Sequence, residues 1–354
     1  YFMISHHSIL RRVKNSRIAW TLLILALVLL FNLVFTKGFF HIEIKDGHLF
    51  GSLIDILNRA APTMLLAIGM TFVIATGGVD LSVGAVVAIS GALAASMVGG
   101  KLVLKGDVQE YISIYPMWLA IAAALLVSLA SGIWNGLLVS RAKIQPMVAT
   151  LILMVAGRGV AQLITNGQII TIYYKSYHYI GTGYLLGLPF TVFIVGLVLL
   201  VAWLLARKTA IGLFVESVGG NRTASRLAGI NSANVILSVY TFCGFCAGIA
   251  GLIVSSNVKS ADGNNAGLWS ELDAILAVVI GGTSFTGGRF YLMGSVVGAL
   301  IIQSLTTTIY SVGVPPEINL VVKAIVVFIV SLLQSESFRK TVFGNPAGKG
   351  RVSA

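Results

Sequence analysis

The chain has 354 residues, 57% of them hydrophobic and 10% charged, and its 24 Lys and Arg outweigh 12 Asp and Glu for a formal net charge of +12. Soluble domains carry roughly 25% charged residues, so a soluble enzyme or binding module is excluded and an all-α polytopic membrane protein is expected. A basic balance can serve nucleic acid, but in a membrane protein positive charge collects on one face of the bilayer, and no nucleic-acid partner is needed to explain it.

Residues 1–17 read as a basic cytoplasmic arm. The first apolar run, 18–36, is long enough to span and lacks a small-residue cleavage site, so no cleavable signal is expected. Further spans are expected at 56–76, 82–98, 118–140, 146–165, 189–206, 234–256, 272–281, 290–310 and 318–334. The run 272–281 covers only about 15 Å of a hydrocarbon core of about 30 Å and reads as a partial or re-entrant helix. A single transmembrane domain therefore occupies 18–335, with roughly eight to ten crossings, and 336–354 form a cytoplasmic tail. The tail segment Gly344-Asn-Pro-Ala-Gly-Lys-Gly350 imitates a phosphate loop. It has one residue too few between Gly344 and Gly348, no Ser or Thr after Lys349 and no preceding strand, so no nucleotide site is expected on this chain.

The loops 99–117 and 166–188 are long. The second carries Tyr173, Tyr174, Tyr177, Tyr179 and Tyr184, expected as anchors at headgroup level. Cys243 and Cys246, at i and i+3 of one helix, read as small packing residues rather than a metal or redox pair. With the N-terminus inside, most Lys and Arg fall on the cytoplasmic side: the N-terminal arm, Arg141, Lys143, Arg207 to Arg226, Arg289 and the tail. That placement puts both termini and the segment 207–231 in the cytoplasm. There Glu216, Gly219, Gly220 and Asn221 lead into a two-turn helix with Asn221 as N-cap and Gly229 as the C-terminal stop. Ala224, Leu227 and Ala228 share one face of it, as a helix that docks on another protein requires.

Two glycine breaks echo each other, Gly77-Gly-Val-Asp-Leu-Ser-Val-Gly84 and Gly281-Gly-Thr-Ser-Phe-Thr-Gly-Gly288. A looser pair is Gln145-Pro-Met-Val148 and Pro315-Pro-Glu-Ile318. Two pseudo-symmetric halves joined by a cytoplasmic segment are a transporter's build, and breaks of this kind in lipid must face protein or a water-filled path. Gly77, Gly78, Asp80, Ser82, Gly281 and Gly282 are therefore candidate gate residues. Catalytic chemistry is missing: the five His lie in termini or outer loops, and no cluster has metal-ligand spacing. Arg158 and Lys323 lie inside spans, with Asp80, Asp273 and Glu317 near span ends, and no buried carboxylate relay of an ion-coupled carrier is expected. The neutral groups Asn58, Asn135, Gln145, Thr150, Gln162, Gln303 and Asn319 suit a path for an uncharged, polyhydroxylated solute.

The segments Asp55-Ile-Leu-Asn-Arg-Ala-Ala-Pro62, Ala75 to Gly84, Trp134-Asn-Gly136, Ile144 to Val160, Gly219 to Ile230, Asn264-Asn-Ala-Gly-Leu-Trp269 and Leu272 to Arg289 together resemble the membrane subunit of ribose-type bacterial sugar ABC importers. Within that family the galactofuranose permeases are most similar. The resemblance implies a type II importer fold in the inner membrane and a second permease, commonly a different homologous chain. It also implies a periplasmic sugar-binding protein and a cytoplasmic ABC ATPase, with no cofactor on this chain and ATP and Mg on the ATPase. Glu216 to Ile230 would then be the coupling helix. The competing expectation is a self-powered secondary carrier or facilitator of small polar solutes.

Overall fold

A computed structural model describes residues 17–36, 38–45, 47–105 and 108–313, and positions 315, 318, 320–325, 328 and 332 beyond them. Asn319, the N-terminal arm before Arg17 and the tail 336–354 lie outside the described residues. The principal helices are α1 (Arg17–Phe35), α2 (Ser52–Ala75), α3 (Val83–Val98), α4 (Met117–Ser140), α5 (Pro146–Thr165) and α6 (Lys175–Thr182). They continue with α7 (Phe190–Lys208), α8 (Ala210–Gly220), α9 (Arg222–Leu227), α10 (Ser232–Val258), α11 (Ser270–Ile280) and α12 (Leu292–Ser311). Six of these, α2, α4, α5, α7, α10 and α12, are long and apolar enough to cross a membrane. At 11 residues α11 is about 16 Å long, so the expectation of a partial helix there holds.

Helix α4 is built inside out relative to a helix of a soluble bundle. In α4 the buried positions are small or polar, Ala120, Ala124, Ser128, Gly132, Asn135, Gly136 and Val139. The large apolar side chains Trp118, Leu126, Ile133, Trp134 and Leu137 point outward. Lipid is as apolar as leucine, so burying large side chains brings little gain over leaving them in lipid, whereas small ones let backbones approach. The stripe works in this way: a Cβ at Gly132 would lie 2.5 Å from the Tyr240 carbonyl oxygen, and α4 and α10 meet along it. Helix α10 is the central post, packed also on α2 and α3. Cys243 and Cys246 are both fully buried there and close on Gly69, as packing residues should.

Two loop expectations are corrected. Residues 99–117 hold a hairpin, β3 (Lys101–Lys105) with β4 (Val108–Ile112), and a smaller hairpin pairs β1 (Glu43–Lys45) with β2 (His48–Phe50). In 166–188 the strand β5 (Ile169–Thr171) pairs antiparallel with β8 (Ser260–Asp262), and β6 (Tyr184–Leu185) pairs with β7 (Leu188–Pro189). Between them lies α6, whose Tyr177 is no interfacial anchor. Its ring is fully buried and its hydroxyl bonds Ser255 Oγ at 2.7 Å. Burial pushes the Tyr177 phenol well above its ordinary range.

Candidate functional site

Helix α9 forms where capping chemistry placed it. The Asn221 side chain accepts from Ala224 N–H at 3.0 Å, and Gly229 takes φ +86°, a left-handed value that glycine alone adopts without strain. Gly229 N–H then donates to the Arg226 carbonyl at 3.1 Å and Ile230 N–H to the Ser225 carbonyl at 3.0 Å, a Schellman closure. Ser225 is the buried residue of α9, while Ala224 and Ala228 are exposed and Leu227 is 84% exposed. Glu216 and Gly219 do not lie in a connecting stretch. They sit in α8, a separate helix capped by Thr209 and anchored by buried Val215 and Val218.

Both glycine breaks end their helix by the same closure. Gly77 donates to Ile74 and Gly78 to Val73; Gly282 donates to Val279 and Thr283 to Val278. The echo in the sequence is therefore an echo in backbone geometry, displaced by one residue. The structure brings other glycines of the two motifs into contact. The backbone around Gly77 meets Gly287 and Gly288, at the far end of the second motif, while Gly281 packs on the backbone of Gly294. Gly288 N–H donates to the Ala75 carbonyl at 2.8 Å, and a Cβ at Gly219 would overlap that same oxygen and lie 2.5 Å from Gly288 N. Arg222, the first residue of α9, donates to the Thr76 carbonyl at 3.2 Å. Three backbone segments, one from each break and one from the end of α8, thus cross without side chains between them.

Inside the first break Asp80 is fully buried, not merely near a span end. Its Oδ1 accepts from Ser82 N–H at 2.9 Å, Ser82 Oγ at 2.7 Å and Asn135 Nδ2 at 3.3 Å, and Asn135 also donates to Ser82 Oγ at 2.8 Å. Candidates from two separate motifs form one knot tying the break to α4. Asp80→Ala would leave the buried N–H and hydroxyl of Ser82 without their acceptor, so a loss of about 2–3 kcal/mol is expected. Thermal unfolding of the detergent-solubilised protein measures it, and Asp80→Asn should lose less.

The charges within spans are paired off. Lys323 donates to Asp273 at 2.9 and 3.1 Å. Arg158 donates to the Ala266 carbonyl at 2.6 Å and faces Glu271 and Asp262. Glu271 was missed by the sequence reading; it is 5% exposed and lies against Gly84, where the first turns of the two short helices α3 and α11 meet. Asp262 is held below the usual carboxylate range by the Asn265 side chain, then by the N–H groups of Asn264 and Asn265 and by Arg158. Among the neutral candidates, Asn58 accepts from Thr191 at 2.7 Å, so it joins α2 to α7, and Thr150 turns its hydroxyl back on the Pro146 carbonyl. Gln145 is an exposed helix start.

Of that set, Gln303 lines a cavity of about 510 Å³ formed by the start of α2 and the ends of α10 and α12. Around it are Asn257, Thr306, Thr307 and Ser311, with Asp55 and Arg59 paired at 2.7 Å across one turn of α2. Helix α2 runs from this cavity to Ala75 at the glycine crossing, so the cavity and α9 lie at opposite ends of α2.

Residues 52–331 match the family described as branched-chain amino acid transport system / permease component. The chain belongs to that permease family. The permease is 53% identical over 323 residues to the galactofuranose transporter permease protein YtfT of Escherichia coli K12, a match that covers 91% of each chain. It is 37% identical to the ribose import permease protein RbsC of the same strain, over 80% of this chain and 86% of that one. It is also 37% identical to the fructose import permease protein FruF of Bifidobacterium longum, over 93% and 90%. No solved structure matches the permease. The resemblance to ribose-type sugar permeases, a galactofuranose permease among them, holds, and the permease is a multi-pass membrane protein that serves as a transport subunit.

Proposed function

We propose that this permease is the transmembrane subunit of an ATP-driven importer that passes galactofuranose or a related monosaccharide from a periplasmic binding protein into the cytoplasm by alternating access. It would pair with a second, homologous permease in the bacterial inner membrane, with both termini and α9 on the cytoplasmic side. ATP and Mg would sit on a separate ABC ATPase. The observation that carries this reading is the docking helix: it turns Ala224, Leu227 and Ala228 outward while Arg222 and neighbouring Gly219 bind its base to both glycine breaks. A partner gripping that face would move the breaks through backbone, and ATP binding would supply the free-energy difference between inward and outward states. The identity to a galactofuranose permease, and the amides and hydroxyls of the cavity beside a self-paired Asp55 and Arg59, favour a sugar over an amino acid.

Proteoliposomes holding the complex that co-purifies with the tagged permease test this reading. Labelled galactofuranose, ribose, fructose and leucine are offered with and without internal ATP. Uptake of galactofuranose that requires ATP and the binding protein is expected. Uptake by the permease alone would overturn the proposal in favour of a self-powered carrier.

A further inference from the structure

We infer that the cavity between α2, α10 and α12 is where the permease receives a monosaccharide before moving it, an inference that rests on the sugar-permease reading above. Its volume of about 510 Å³ lies within the range of about 300–1,000 Å³ typical of small-molecule sites. The lining chemistry is that of a polyol. Thr306 and Ser311 donate their protons back to the Ile302 and Thr307 carbonyls at 2.9 and 2.8 Å, so their oxygens face the cavity as acceptors for sugar hydroxyls. Gln303 and Thr307 hold each other only at 3.4 Å, a weak contact that a sugar hydroxyl can replace on both sides. Asn257 adds a further amide.

Charge argues the same way. Asp55 and Arg59 neutralise each other at 2.7 Å, so neither an anion nor a cation meets an uncompensated partner. Apolar Pro62, Val254 and Val258 supply surface for the C–H face of a pyranose or furanose ring. Helix α2 links this site to the transport machinery. It is buried from Met64 to Ala75 and ends at the carbonyl that Gly288 bonds, so displacement of the glycine crossing moves the wall that carries Asp55 and Arg59.

The test uses the assembled complex in proteoliposomes with Thr307→Cys in the permease. Cys243 and Cys246 are fully buried, so the new thiol is the one of this chain that a membrane-impermeant maleimide reaches, and labelling is read on the permease band alone. Millimolar galactofuranose is expected to slow labelling about threefold, as occupancy at twice Kd would, while leucine leaves the rate unchanged. Separately, Gln303→Leu and Asn257→Leu should each raise the KM of uptake about three- to tenfold, the worth of one hydrogen bond, with a smaller change in maximal rate. If the wild-type complex imports the sugar while labelling is not slowed and KM does not move, the cavity assignment is wrong and the sugar-permease reading stands. If the wild-type complex moves no monosaccharide, or moves leucine instead, both fall together.

Discussion

Gly219→Ala is expected to cost stability and ATP-driven uptake together, whereas Gly220→Ala, one residue further on, leaves both near wild type. The first change adds a methyl group where the Ala75 carbonyl oxygen already lies and at 2.5 Å from Gly288 N, against a comfortable contact of about 3.5–4.0 Å. The crossing must open, and the bond from Gly288 to Ala75, 2.8 Å long, stretches with it. Overpacking of this kind typically costs about 1–3 kcal/mol. At Gly220 a Cβ would meet nothing within 4 Å, and alanine's better helix propensity offsets what little is lost at a helix end. Thermal unfolding gives the stability difference, and uptake by the reconstituted complex gives the transport difference. Equal effects of the two substitutions would mean that the crossing neither holds the fold nor transmits motion.

The sequence made the helices and the caps of α9 legible because both are written in short-range chemistry. Runs of about twenty apolar residues are sufficient for spans, and the Asn221 and Gly229 caps depend on residues three to five positions away. The halves of the knot at Asp80 were also visible singly, Asp80 and Ser82 in one motif and Asn135 in another. Their meeting was not, because 55 residues separate Asp80 from Asn135 and only the packing of α4 joins them. For the same reason the echo of the two breaks revealed their shared closure but not which of their glycines touch. The folded chain brings Gly77 to Gly287 and Gly288, a partner chosen by how α8 lies across both breaks. Glu271 escaped notice because a carboxylate at a helix start reads as solvated, and only the close approach of α3 at Gly84 encloses it. Tyr177 failed in the opposite direction: tyrosines near headgroups are usually anchors, yet α6 turns this one inward onto Ser255.

Leu227→Asp is expected to separate transport from fold. The side chain is 84% exposed, so stability of the isolated permease should change by no more than about 0.5 kcal/mol. An interface that buries an apolar anchor typically loses at least about 2 kcal/mol when the anchor is removed, roughly a thirtyfold weakening. The ATPase should then fail to co-purify, and sugar-stimulated ATP hydrolysis should fall with it. Gly229→Pro reaches the same end by another route. Proline fixes φ near −65° and has no N–H, whereas Gly229 stands at φ +86° and donates to Arg226, so the closure of the docking helix is lost and its exposed face turns away from its present direction. The contrast between the two is informative: Leu227→Asp keeps the helix and removes the grip, and Gly229→Pro keeps the grip residue and misplaces it. If both variants retain a bound ATPase and normal sugar stimulation, the partner docks elsewhere and the outward face of α9 has another purpose.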